Sequence, residues 1–303
     1  MTNDDDGYPE TPHQRGVPGK PRRPEHGLHL VATPIGNVRD ITLRAMDVLE
    51  QADVLAAEDT RQTRKLLDIL GIRREERGII PYHDHNGAAQ RPRLLRELAA
   101  GKSVALVSDA GTPMVADPGF GLVREVIAAG HRVLAAPGAS AVLSALCVSG
   151  LPTDRFLFNG FLPPKSVARG KALEALKSVP ATLVFYEGPK RVSACLAAMR
   201  DVLGGARQAA VCRELTKKFE ETRRGTLEEL AEWYSSEGAP KGEVVILIGP
   251  PVEEEADEKD VDASLTKALE TMSVKDAAGE VALRFGMPRR EIYARALQLS
   301  KRE

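Results

Sequence analysis

A chain of 303 residues, 43% hydrophobic and 28% charged, can bury at least one large core and suits two domains, or one α/β domain with appendages. Its formal charge of −1 hides a partition: residues 1–26 carry five acids against four Lys/Arg, 251–260 carry six acids against one Lys, and the rest bears about +5. That balance permits an anionic partner without requiring one. Cys147, Cys195 and Cys212 lack any short pairing or C-x-x-C spacing, which excludes a disulfide framework and a zinc knuckle and points to a reducing, cytoplasmic compartment. No apolar run approaches the ~20 residues of a membrane span.

Residues 1–26, with five prolines and three consecutive aspartates, read as a disordered leader and not as a signal core. Leu28–Ala32 reads as the first strand, ended by Thr33-Pro34-Ile35-Gly36-Asn37. A helix capped by Thr42 follows, with Leu43, Met46, Val48 and Leu49 as its apolar stripe. Asp53–Ala57 supplies a second strand, ended by Glu58-Asp59-Thr60-Arg61, and Thr63–Leu70 a helix closed by Gly71. Then come a short strand at Ile79–Tyr82, a helix at Arg91–Ala100, a strand at Val104–Val107, a helix at Gly121–Ala129 and a strand at Arg132–Ala136. Pro137-Gly138-Ala139-Ser140-Ala141 opens a last helix through Val148. This alternation predicts a mainly parallel sheet with helices on both faces, at 27–152.

A second α/β domain is expected at 153–250, with strands at Phe156–Gly160, Thr182–Tyr186, Ala209–Cys212 and Val244–Ile248. Pro250-Pro251 and Glu253-Glu254-Glu255 mark an acidic linker at 251–263. A helical appendage fills 264–303, with helices at Ser264–Met272, Ser273–Phe285 and Arg289–Leu297.

Chemistry concentrates in the loop after Val104–Val107. A buried strand feeds Ser108-Asp109-Ala110-Gly111-Thr112-Pro113, and ligands of open α/β sheets sit beyond the carboxyl ends of their strands. Gly111 permits close backbone approach, Pro113 and Pro118 stiffen the turn, and Asp109 offers an acceptor to hydroxyls or an ammonium group. No G-x-G-x-x-G or G-x-x-x-x-G-K-[ST] string exists to anchor hydride transfer or nucleotide hydrolysis. His83-Asp84-His85 lacks a third ligand nearby, so no metal is expected. Gly138-Ala139-Ser140 lacks the second glycine of a nucleophile elbow, leaving Ser140 as a cofactor wall or a helix cap. Glu58 and Asp59 are adjacent on an extended chain and diverge, so one can cap the next helix while the other faces the pocket. The basic pairs Lys190-Arg191, Lys217-Lys218, Arg223-Arg224 and Arg289-Arg290 read either as solvated faces or as an anion-binding face.

The strings Val31-Ala32-Thr33-Pro34-Ile35-Gly36-Asn37, Ala57-Glu58-Asp59-Thr60-Arg61, Ser108–Pro113, Pro137–Ala141 and Arg213-Glu214-Leu215-Thr216-Lys217 together resemble the small-subunit ribosomal RNA cytidine 2'-O-methyltransferases of the tetrapyrrole-methylase superfamily. The resemblance runs from Leu28 to Pro250, and the helical tail looks like that family's C-terminal appendage. It implies two α/β domains with S-adenosyl-L-methionine in the cleft between them, a homodimer, and a decoding-region cytidine of the small ribosomal subunit RNA as substrate. Carried over by motif, Pro34, Ser108, Asp109, Ala110, Gly111, Thr112, Pro113, Ser140 and Ala141 would line the cofactor site from the first domain. Tyr186, Leu215 and Glu243 would approach from the second.

Candidate bases are Glu58, Asp59, Glu187 and Glu214, with Arg61, Lys190 and Lys217 as phosphate or alkoxide contacts. Gly188, Lys190 and Phe219 depart from the family's usual Ser, His and His, so no obligatory histidine acid or base is expected there. Two other readings stand beside this one: a tetrapyrrole C-methyltransferase using the same cofactor site, and a non-catalytic RNA-binding protein. The Glu58–Arg61 and Arg213–Lys217 strings disfavour the former. Arg289, Arg290 and Arg295 of the appendage would add RNA contacts.

Overall fold

The computed structural model describes residues 23–74, 78–83, 85–251 and 258–300, so residues 1–22 of the expected leader and Asp84 of the His-Asp-His string lie outside the described residues. The chain forms two compact units divided after Pro250.

The first unit opens on a parallel sheet. Strands β1 (Gly27–Val31), β2 (Val54–Ala57), β3 (Ile79–Pro81), β4 (Ser103–Val107) and β5 (Val133–Ala136) lie in the order β3-β2-β4-β1-β5. Alternation along β4 splits its side chains between two cores. Val104 and Leu106 meet Leu94 and Leu98 of α3 (Gly87–Ala99) and Leu122 and Val126 of α4 (Phe120–Ala128). Ala105 and Val107 meet Ala45, Val48 and Leu49 of α1 (Leu43–Gln51) and Leu67 of α2 (Thr60–Leu70). Coverage of both faces is why β2 and β4 carry unbroken apolar runs. Helix α2 starts at Thr60, three residues before the expected Thr63, because the Asp59 carboxylate accepts the Arg61 amide at 2.8 Å and caps it. Helix α3 starts at Gly87, ahead of Arg91, and carries Pro92 within it.

The second sheet is mixed. Strands β6 (Phe156–Phe161), β7 (Thr182–Glu187), β8 (Gln208–Arg213), β9 (Glu221–Thr226) and β10 (Val244–Ile248) lie in the order β6-β7-β10-β8-β9, with only β6 and β7 parallel. One face packs under α6 (Ser166–Glu174), α7 (Val192–Leu203) and α8 (Leu227–Ser236), through Leu173, Leu196, Met199 and Leu230. The other face is covered by α5 (Ala141–Ser149): Val142, Ala145 and Leu146 sit on Val184, Ala210, Val245 and Leu247. Helix α5 precedes the division expected at 152/153, yet it belongs by packing to the second sheet.

Strand β9 has no counterpart in the sequence reading. Its residues Glu-Thr-Arg-Arg-Gly-Thr form a half-exposed edge and offer no apolar alternation. Its arginines are committed internally, which corrects the anion-binding reading of Arg223-Arg224. The Arg223 guanidinium lies 3.6 Å from the Trp233 ring centroid and 2.9 Å from Glu221. Arg224 donates to the Val148 and Ser149 carbonyls at the end of α5.

The second unit is three helices, α9 (Glu258–Leu269), α10 (Val274–Phe285) and α11 (Arg289–Leu299), around Val261, Leu265, Ala278, Val281, Ile292 and Ala296. Residues 258–263, expected as linker, are helical. Arg295 pairs with Asp262, and Arg289 donates to the Lys275 carbonyl at 3.3 Å. Of the three arginines expected to face RNA, those two are engaged within the unit. Among the described residues no helix is long and apolar enough to cross a membrane.

Candidate active site

Three loops at the carboxyl ends of the first sheet interlock. Thr33 and Gly111 exchange backbone hydrogen bonds at 2.9 and 3.0 Å, the Thr33 hydroxyl donates to the Ser108 carbonyl at 3.2 Å, and the Ser108 hydroxyl donates to the Gly111 carbonyl at 3.0 Å. The Thr112 hydroxyl donates to the Ala139 carbonyl at 3.1 Å. Gly111 holds φ 78°, open to glycine at little cost. Ser140 caps α5, its hydroxyl accepting the Leu143 amide at 3.5 Å.

Between these loops and the second sheet lies a cavity of about 430 Å³, a size that suits a nucleoside-like ligand. It is lined by Ile35, Glu58, Asp109–Thr112, Val115–Asp117, Ser140 and Ala141 from one side, and by Phe161, Tyr186–Pro189, Cys212, Leu215 and Glu243–Val245 from the other. Nine of the expected cofactor residues therefore line it: Asp109, Ala110, Gly111, Thr112, Ser140, Ala141, Tyr186, Leu215 and Glu243. Pro34, Ser108 and Pro113 do not; buried Ser108 and Pro113 shape the loop from behind. Ile35, Val115, Ala116, Asp117, Phe161, Val244 and Val245 were not anticipated as lining. The strand end at β10 could have suggested the last two; Ala116 and Asp117 lie in the ligand loop between Pro113 and Pro118 but are not among the expected cofactor residues.

Of the expected acid–base residues, Glu58 and Glu187 line the cavity, and Asp59, Glu187 and Glu214 are held by basic neighbours. Asp59 is bound by Arg61 through the side chain (3.1 and 2.8 Å) and the amide, which pulls its pKa down to about 2. Its own amide donates to Asp109 Oδ1 at 3.0 Å, so the cap of α2 also orients Asp109. Glu187 is buried beneath its loop, accepting from the Gly188 amide at 2.8 Å, Cys195 Sγ at 2.7 Å and Arg191 at 3.1 Å. Burial, then the Glu187 carboxylate, pushes the Cys195 thiol up to about 11.

Glu214 accepts from Lys217 Nζ at 2.8 Å and from the Glu243 amide at 2.9 Å, and those bonds hold its carboxyl below the usual range. Burial opposes charge on Lys217, but hydrogen bonds to Glu214 and to Glu243 (2.7 Å) outweigh it and raise the Lys217 pKa. Glu58 lines the cavity at the end of β2. Tyr186, pushed up to about 12 by burial and then by the Asp117 carboxylate, against the opposing pull of the Val142 amide, stays a neutral phenol.

Backbone strain concentrates at the same place. The positive-φ residues other than glycine are Met114 (72°), Ala116 (65°), Glu214 (50°) and Thr216 (65°), among the described residues, and all four lie in the two loops that face each other across the cavity. Each conformation costs on the order of 1–2 kcal/mol. Among the described residues no three His, Cys, Asp or Glu are grouped to share a metal ion.

The model of the tetrapyrrole (corrin/porphyrin) methylases matches residues 27–231, and that of the RsmI C-terminal HTH domain matches 255–300. The chain is 51% identical, over 94% of its length and 96% of the relative's, to ribosomal RNA small subunit methyltransferase I of Mesorhizobium japonicum. It is 43% identical to the protein of the same name from Pseudomonas aeruginosa, over 89% of this chain and 96% of that one. Among solved structures, a diphthine synthase superposes with a TM-score of 0.56 at 18% identity, covering 73% of this chain and 89% of that one, a likeness of fold alone. By these matches the chain belongs to the tetrapyrrole (corrin/porphyrin) methylase family and, within it, to the ribosomal RNA small subunit methyltransferase I group.

Proposed function

We propose that this enzyme transfers a methyl group from S-adenosyl-L-methionine to the 2'-oxygen of a cytidine ribose in the decoding region of small-subunit ribosomal RNA. The observation that carries the reading is the 51% identity to a named ribosomal RNA methyltransferase over 94% of the chain, with the cavity's loops intact. The tetrapyrrole C-methyltransferase alternative describes the wider superfamily, whose solved members resemble this chain in fold alone.

The cavity's make-up fits the cofactor. The backbone of Asp109–Thr112 and the small residues Ser140 and Ala141 would hold its polar parts, and Ile35, Leu215 and Val245 would cover its apolar surface. When bound, the cofactor supplies a methyl group already activated on a sulfonium, so the protein's task is alignment and exclusion of water. Asp109, one oxygen fixed by the Asp59 amide, keeps the other available as an acceptor. Glu58, which lines the cavity at the end of β2, is the carboxylate we assign to take the proton from the ribose hydroxyl. Lys217 instead ties Glu214 to Glu243, a structural use in place of the expected phosphate contact.

A homodimer in the cytoplasm belongs to the same reading. Edge strand β6 leaves Phe156 and Leu157 44% and 38% exposed, apolar side chains at a sheet edge that a second copy would cover. The test is transfer of labelled methyl from S-adenosylmethionine to purified small subunits lacking the modification, followed by nuclease mapping. Label on a cytidine ribose is expected; cofactor binding without transfer to subunits would overturn the reading.

A further inference from the structure

Several basic side chains of the second sheet are paired: Arg213 and Arg223 with Glu221, Lys217 with Glu214 and Glu243, and Arg224 with the carbonyls that end α5, while Lys190 and Lys218 in its loops are exposed. Arg61 is held by Asp59. By contrast Arg39, Arg64 and Lys65 are exposed and make no side-chain ion pair or hydrogen bond among the described residues.

These three lie on two neighbouring segments. Arg64 and Lys65 share the outward face of α2, opposite buried Thr63 and Leu67. The single turn Val38–Asp40 that carries Arg39 lies against that helix. Helix α2 begins at the mouth of the cavity, where Glu58 lines it and the Asp59 amide grips Asp109. At 1.5 Å per residue, Arg64 stands only about 6 Å along the axis from the helix start. The carboxylates on the same two segments, Asp40 and Asp68, are exposed and leave a net positive strip.

We infer that Arg39, Arg64 and Lys65 form a phosphate track on which single-stranded RNA lies as its target ribose enters the cavity beside Glu58. The occupant is a phosphodiester backbone, because the strip is basic, polar and without an aromatic platform for base stacking, and because it runs on from the cavity's edge. It positions substrate and touches none of the reacting atoms. The inference rests on the RNA-methyltransferase reading above and adds the surface by which the substrate arrives.

The test uses the full-length protein with Arg39→Gln, Arg64→Gln and Lys65→Gln combined, and a control of equal chain context, Arg93→Gln with Arg96→Gln on α3, also exposed. Binding to unmodified small subunits is measured across a salt series, alongside cofactor affinity by calorimetry and methyl transfer at saturating subunits. The triple variant is expected to bind subunits about tenfold more weakly, with the slope of log K against log salt reduced by about 2. Cofactor affinity and kcat stay within twofold and KM for subunits rises. Wild-type affinity and slope in the triple variant, or an equal loss in the α3 control, would overturn the track while leaving the methyltransferase reading standing. A wild type that binds cofactor but neither binds nor methylates subunits would overturn both.

Discussion

The stem of Lys217 lies across Gly36: a Cβ at residue 36 would stand 2.4 Å from Lys217 Cγ and 2.8 Å from Thr216 Oγ1. Beside it, the Asn37 amide donates to the Thr216 hydroxyl at 3.0 Å. The first loop of the parallel sheet is thereby clasped to the strained loop of the second, next to Ile35 and Leu215, which line the cavity.

Gly36→Ala is expected to push Lys217 away from Glu214 and Glu243. Cofactor affinity should fall tenfold or more, with a loss of stability of about 1–3 kcal/mol. Calorimetric titration with S-adenosylmethionine and chemical denaturation measure the two; full affinity in a folded Ala variant would show that the clasp does not shape the site.

Glu58→Gln should lower kcat by about 10²- to 10⁴-fold with cofactor affinity unchanged, since it removes a proton acceptor and keeps the side chain's shape. Single-turnover methyl transfer to small subunits gives the rate. A rate within threefold of wild type would remove Glu58 from the role of base.

Asp59 sets an acid limit. Its carboxyl falls from 3.8 to about 2 in the folded state because Arg61 favours the charged form. A depressed folded pKa contributes stability that is complete above the unfolded value and lost as pH falls through the folded one. The stability gap between wild type and Asp59→Asn should therefore be constant above about pH 4 and vanish toward pH 2. Acid titration of unfolding free energies reads it; a gap persisting at pH 2 would assign the effect to shape and not to charge.

The three thiols should separate cleanly. Cys147 is exposed, whereas Cys195 and Cys212 are buried with their thiols raised, that of Cys195 to about 11. At pH 8 a disulfide reagent should titrate one thiol in the folded protein and three after denaturation. Rapid reaction of a second thiol would show that one face of the second sheet opens readily, the α7 side if it is Cys195 and the α5 side if it is Cys212.

The parallel sheet was readable because its strands are apolar runs punctuated by Pro, Gly and carboxylate loops, and periodicity carries that signal directly. β9 was not, because an edge strand built of Thr, Arg and Glu earns its place through cross-strand bonds and the Arg223–Trp233 stack. The site's loops were legible from their strings, and most of their residues do line the cavity. Sequence could not tell wall from buttress: Ser108 and Pro113 sit behind the surface that Gly111 and Thr112 present. Nor could it show that Met114, Ala116, Glu214 and Thr216 adopt left-handed backbone, since none is the glycine or asparagine that usually announces it. Nor does the sequence show that Asp59, Glu187 and Glu214 are tied to Arg61, Arg191 and Lys217.

Helix α5 leaves the first sheet at Ser140, spreads its apolar face over the second, and ends under Arg224. Swinging the two sheets apart would strip Val142, Ala145 and Leu146 from that face, so wide opening is coupled to something close to global unfolding. Ligand exchange is then expected without any parting of the two sheets. Amides of α5 should exchange hydrogen as slowly as those of β4, and cofactor should come and go many times in the interval.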